Sequence, residues 1–130
     1  MLLTKECDYA MRIIRVLKSG EKRSVKQICH EEEMPEPFTY KILKKLEKAE
    51  IVKAIRGAQG GYVLATPIEE LHLMDIIRVI DENFGVIRYT DSCKSTKDTS
   101  EQPSMLHKEY KRIQDLLISE LEHKTLVEIL

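Results

Sequence analysis

The sequence predicts a mainly α-helical chain carrying one small β-hairpin. Of its 130 residues 42% are hydrophobic, 33% charged and only 5% aromatic, and Gly and Pro number 5 and 4. There is apolar material for one core, while the many long charged side chains need solvated helix faces. A β-sandwich or barrel would call for more β-branched and aromatic residues than these. The length fits one domain, or a small domain with an appendage, and excludes a large multidomain enzyme.

Ala10, Ile13, Ile14 and Leu17 recur at i, i+3, i+4 and i+7, which predicts a first helix over 4–19 with Thr4 as its N-cap and Gly20 as its stop. Ser24-Val25-Lys26-Gln27 has the capping-box pattern and opens a short second helix near 24–33. Met34-Pro35-Glu36-Pro37 interrupts it, because proline ends a helix yet is well tolerated in a first turn, so a third helix starts close to Pro37. Phe38, Ile42, Leu43 and Leu46 are expected to pack one face of that helix. Tyr40, Lys41, Lys44, Lys45 and Lys48 then cover the others with a strongly basic surface.

Two β-prone runs, 51–56 and 62–65, flank Gly57-Ala58-Gln59-Gly60-Gly61 and read as a hairpin. A phosphate-binding loop is excluded, since these glycines join two strands and lack the Lys-Ser/Thr that such a loop requires. Leu73, Ile76, Ile77 and Ile80 predict a further amphipathic helix, with His72 at its cap position. From 88 to 104 the chain is polar and is expected to be a flexible loop. Leu106, Tyr110, Ile113 and Leu117, broadened by Leu116 and Leu121, make a long helix with more apolar surface than a small monomer covers, so it needs a partner helix. Thr125-Leu126-Val127-Glu128 repeats the capping box and starts a short closing helix.

The net charge of −1 conceals an asymmetry: through Tyr62 there are 13 Lys and Arg against 9 Asp and Glu, and beyond it 8 against 13. A basic module followed by an acidic one points to a polyanion contact in the first. The cysteines Cys7, Cys29 and Cys93 form no evident disulfide framework, nothing reads as a cleavable signal, and no apolar stretch approaches the roughly 20 residues that span a bilayer. The expected location is the cytoplasm, with no membrane contact. Cys29 is expected to be a small buried hydrophobe, and His30, His72 and His123 surface or capping residues. With no paired carboxylates and no nucleophile beside an evident base, the chain is not expected to be an enzyme.

Helix, short helix, tight turn, basic helix and hairpin is the order of a winged helix-turn-helix, in which the basic helix enters the DNA major groove. On this reading residues 1–66 form the DNA-binding domain, 67–87 a linking helix, 88–104 a flexible loop, which the resemblance that follows makes a sensor loop, and 105–130 a dimerisation helix with a C-terminal segment. Thr4-Lys5 and Tyr9-Ala10, the block PEPFTYKILKKLEKAEIVKAIRGAQGGYVLA (35–65), LHLMDIIRVID (71–81) and the closing MLHKEYKRIQDLLISELEHKTLVEIL (105–130) carry a resemblance. Over nearly its whole length the chain is similar to the iron–sulfur-cluster-type regulators that include the IscR, NsrR and CymR proteins.

The resemblance implies a homodimer that binds a two-fold-related double-stranded operator and usually represses. Its base-reading positions fall on Pro37, Tyr40 and Lys41, and Arg56 is the arginine that enters the minor groove. Thr39 and Lys44 on the recognition helix, with Gln59, Gly60 and Tyr62 in the wing, complete the candidate DNA contacts. Leu106, Tyr110, Ile113 and Leu117 fall on the dimerisation helix. Cluster-binding relatives carry three cysteines in the loop before that helix. Here Cys93 remains, Ser104 stands at a cysteine position, His107 matches the residue three places on, and Asp8 of a partner subunit, beside Cys7, is the remaining candidate metal ligand. A serine hydroxyl is hard and protonated near neutral pH, so the ligand set is incomplete, and three readings stand: no cofactor, an iron–sulfur cluster on this reduced set, or a thiol-based redox response at Cys93. The expected function is a homodimeric, sequence-specific repressor that senses iron–sulfur, redox or sulfur-metabolism status. The alternative is a protein-interaction module, governed by a regulatory partner protein, for which DNA binding is secondary.

Overall fold

The computed structural model describes residues 3–86 and 105–130. Thr4 ends its extended approach by accepting from the Cys7 amide at 3.3 Å, which opens helix α1 (Lys5–Leu17). Ser24 and Gln27 cap α2 (Val25–Glu32) reciprocally, with Gln27 N donating to Ser24 Oγ at 3.2 Å and Ser24 N to Gln27 Oε1 at 2.8 Å. The turn into α3 (Glu36–Lys48) passes through Glu33 in a left-handed conformation, φ 52°, and buried Met34, whose amide donates to the Cys29 carbonyl at 3.0 Å. Arg15 of α1 grips Glu32 at the end of α2 through its Nε at 2.9 Å. Ala10, Ile13, Ile14 and Leu17 of α1, Ile28 of α2, and Ile42, Leu43 and Leu46 of α3 form the centre of one buried cluster.

Strands β1 (Val52–Ile55) and β2 (Gly61–Leu64) pair antiparallel, from Val52 opposite Leu64 to Ile55 opposite Gly61. Gly57 takes a φ of 127° at the turn, a conformation that side chains resist. The wing is anchored at its base: Tyr62 N donates to Arg23 O at 2.8 Å, and Arg23 N donates to Tyr62 O at 3.0 Å. At Gly61 that approach is so close that a Cβ would meet the Arg23 carbonyl oxygen at 2.6 Å.

A 3-10 turn over Ile68–Glu70, too short to leave a periodic signal, precedes α4 (Leu73–Ile80). His72 occupies the N-cap position of α4, and the Asp75 carboxylate closes that end by accepting from the His72 amide at 2.8 Å. Helix α5 (Met105–Leu121) buries no residue completely within this chain, although Ile118 and Leu121 lie against the core. The reciprocal cap between Thr125 and Glu128 opens α6 (Leu126–Ile129). Leu126 is fully buried, and its amide donates to the Leu71 carbonyl at 2.7 Å, so the segment after α5 returns to fill the core of the winged domain.

Two packing expectations change. Phe38 is 51% exposed, because Thr39 takes the inward position of that turn and completes the arc Thr39, Ile42, Leu43 and Leu46. Cys29 is half-buried, with its thiol 3.3 Å from the Thr39 hydroxyl. The expected sensor loop, with Cys93 and Ser104, lies outside the described residues. Among the described residues no helix is long and apolar enough to cross a membrane.

Candidate nucleic-acid interface

With one arc of α3 turned inwards, the helical period sends Pro37, Tyr40, Lys41, Lys44 and Lys48 outwards, and all five are exposed. The wing presents Arg56 and Gln59, both exposed, with Gly60 half-buried beneath them. Thr39 does not belong to this surface. It is fully buried, and its hydroxyl donates to the Pro35 carbonyl at 3.0 Å, so it locks the first turn of α3 and touches no DNA from there. Tyr62 is half-buried at the root of the wing, where burial first, then the charge of Glu47 and the nearby Tyr40, push its phenol pKa up. It joins the wing to the recognition helix and offers the groove only part of its ring.

The lysines of α3 differ electrically. Lys41 donates to Glu6 Oε1 at 2.6 Å and Lys45 to Glu6 Oε2 at 3.1 Å, and Lys45 also reaches the Ile80 carbonyl at 3.1 Å. The hydrogen bond from Lys41, then that from Lys45, holds the Glu6 carboxyl below its ordinary range. Among the described residues no carboxylate pairs with Lys44, Lys48 or Arg56. These three cations are free to meet a polyanion. Glu6 is the partner of these lysines that sequence reasoning misses, for an acid in the first turn of a helix already has an explanation in the helix dipole.

Within one chain the described members of the expected ligand set, Asp8 and His107, each have another partner. Asp8 is exposed and paired with Arg12 at 2.9 Å, and His107 is half-buried with its ring edge-on to Tyr110 at 6.4 Å. Cys7 is buried, 3.3 Å from the Thr4 hydroxyl. Among the described residues no three His, Cys, Asp or Glu side chains are grouped to hold a metal. Cys93 and Ser104, the loop members of the expected set, lie outside the described residues.

Residues 3–130 match the family model of Rrf2, the iron-dependent transcriptional regulators. The chain belongs to the Rrf2 family. Its Rrf2 relatives include the regulator NsrR of Oceanobacillus iheyensis, 32% identical over 94 residues that cover 70% of this chain and 64% of that one. Protein aau3 of Rhizobium meliloti is 35% identical over 88 residues, 66% of this chain and 57% of its own. The chain thus spans about three-fifths of the length of these relatives. The Rrf2 fold is confirmed by the structure of CymR, the global cysteine regulator of B. subtilis, with a TM-score of 0.76 at 24% identity over 98% of this chain and 94% of that one. T. potens IscR gives a TM-score of 0.75 at 24% identity, covering 98% of this chain and 84% of that chain. As an Rrf2 protein the chain has the winged-helix fold of a family of transcriptional regulators.

Proposed function

We propose that the chain is a homodimeric, sequence-specific repressor that lays α3 in the major groove of a two-fold-related operator and its Arg56 wing in the adjacent minor groove. The observation that carries this reading is the set of unpaired cations Lys44, Lys48 and Arg56 bordering the exposed Pro37 and Tyr40. A helix fits the major groove, which is about 12 Å wide, lysines neutralise phosphates, and side chains on the outward arc reach base edges. Gln59 and Gly60 bring the wing backbone close to the duplex beside Arg56. Lys41 reaches DNA only on leaving Glu6.

A second copy of the chain covers α5. Leu106 is 57% and Ile113 40% exposed on its outer stripe, with Tyr110 and Leu117 half-buried between them. An apolar groove of about 420 Å3 between α1 and α4, walled by Leu3, Met11, Leu73 and Ile76, is open as well. In this reading 1–66 binds DNA, 67–87 links, 88–104 senses and 105–130 dimerises, with Leu126 tying the last unit to the first. Operator affinity answers iron–sulfur, redox or sulfur-metabolism status, a proposal supported by the iron-dependent character of the family model. The incomplete donor set supports a response that needs no resident cluster.

Selection of bound duplexes from a random pool, followed by gel shifts across a salt series, tests the DNA reading. Arg56→Ala and Lys44→Ala should each weaken operator binding and flatten the slope of log K against log salt by about 0.9 per lost phosphate contact. Arg56→Ala should also change the ranking of operator variants. Binding indifferent to both substitutions refutes the proposal. Protein purified without air should be colourless and free of iron, and a coloured, iron-bearing preparation would refute the cluster-free part.

A further inference from the structure

The Glu6 carboxylate bridges two lysines that lie one turn apart on the recognition helix. Lys41 meets one of its oxygens and Lys45 the other, across 35 and 39 residues of sequence. The Glu6 side chain is 31% exposed and that of Lys45 34%, so the Lys45 arm is partly screened from water and anchors the carboxylate, while the Lys41 arm, at 55% exposed, faces solvent. Lys41 nevertheless stands on the outward arc with Lys44 and Lys48. A free lysine there is a point charge on a flexible stem and would neutralise a phosphate whatever the neighbouring bases. Such a lysine would raise affinity for every duplex alike. Held by Glu6, Lys41 leaves contact with DNA to Lys44, Lys48 and Arg56, and the carboxylate repels the phosphate backbone.

Resting on the DNA-binding reading above, we infer that Glu6 is a specificity-determining positioning residue: anchored by Lys45, it withholds Lys41 from the phosphates, so that indiscriminate binding stays weak. Pro37, Tyr40 and Arg56 then decide which duplex is retained. A purely structural Glu6, one that only seats α1 against α3, would change melting temperature and leave the salt response of Lys41 untouched.

The test is a double-mutant cycle on the full chain, with Glu6→Gln, Lys41→Met and the pair titrated against a labelled random-sequence duplex and a selected operator duplex between 50 and 200 mM salt. Glu6→Gln should steepen the random-duplex slope by about 0.9 per protomer, so that for each protomer bound the rise in salt costs about three- to fourfold more affinity than in the unaltered chain. The operator-to-random affinity ratio should fall. Lys41→Met should flatten the slope by less than about half a unit while Glu6 is present, and by about 0.9 once Glu6 is glutamine. Equal flattening in both backgrounds, or a slope indifferent to Glu6→Gln, overturns the inference and leaves DNA binding standing. An unaltered chain that binds neither duplex overturns both. Should Glu6→Gln fail to fold, Lys41→Met is compared with Lys44→Ala in the otherwise unaltered chain. Lys44→Ala should then flatten the slope about twice as much, and equal flattening overturns the inference.

Discussion

Alanine at Gly61 should unseat the wing. The added Cβ would lie 2.6 Å from the Arg23 carbonyl oxygen and 2.8 Å from its carbonyl carbon, both backbone atoms, with Lys22 Cγ at 3.0 Å as the one movable neighbour among the three nearest atoms. Contacts that short do not persist, so β2 must withdraw from Arg23. The two backbone hydrogen bonds between Arg23 and Tyr62, at 2.8 and 3.0 Å, go with it. Each is worth roughly 0.5–1.5 kcal/mol net, which puts the loss at about 2 kcal/mol and the fall in Tm on the order of 10 °C for a domain of this size. Thermal melts read the stability, and amide hydrogen exchange reads the cause: the Arg23 and Tyr62 amides should lose protection. Gly57→Ala is the control. Its φ of 127° makes any side chain strained, yet an added Cβ meets nothing within 4 Å, so it should cost about 1–3 kcal/mol while those two amides stay protected. A Gly61→Ala chain that melts with the unaltered protein and keeps both amides protected refutes the reasoning.

Leu126→Ala should destabilise by about 2–5 kcal/mol in urea unfolding, because it empties a fully buried site, whereas Val127→Ala, at a side chain 49% exposed, should stay within about 0.5 kcal/mol. Leu106→Glu combined with Ile113→Glu should yield a monomer in sedimentation analysis with its helical circular dichroism intact; an unchanged assembly counts against α5 as the interface. The Glu128 carboxyl is held below its ordinary value, first by the Thr125 amide and then by its hydroxyl. Its cap therefore contributes fully above the unfolded carboxylate pKa and is lost as pH falls through the lowered folded value. An NMR titration that finds Glu128 at or above an ordinary glutamate contradicts that cap.

Local features are legible in the sequence because their partners are three or four residues away. Thr4, Ser24 and Thr125 announce the starts of α1, α2 and α6, and Ala10, Ile13, Ile14 and Leu17 announce the buried side of α1. The face of α3 shows where hydrophobicity misleads. Thr39, Ile42, Leu43 and Leu46 have the i, i+3, i+4, i+7 spacing, but Phe38 outweighs Thr39 on apolar character alone. Thr39 can be buried because its hydroxyl finds the Pro35 carbonyl, which satisfies the polar group. The outward arc follows from the same period, so Pro37, Tyr40, Lys41 and Lys44 are readable as a surface. What Lys41 does there is not, since its partner Glu6 lies 35 residues away and only the packing of α1 across α3 brings them together. The 3-10 turn at Ile68–Glu70 and the return of Leu126 to Leu71 are tertiary facts of the same kind.

The lower half of α5 is fastened to the winged domain by Ile118 and Leu121 against the core, by Arg78 on Glu122 at 2.9 Å, and just beyond by Leu126. That half is thereby tied to the domain that carries α3. On the proposed dimer, a few degrees of tilt where two copies meet along α5 would become a change of stride between the two reading helices, judged against a duplex turn of about 34 Å.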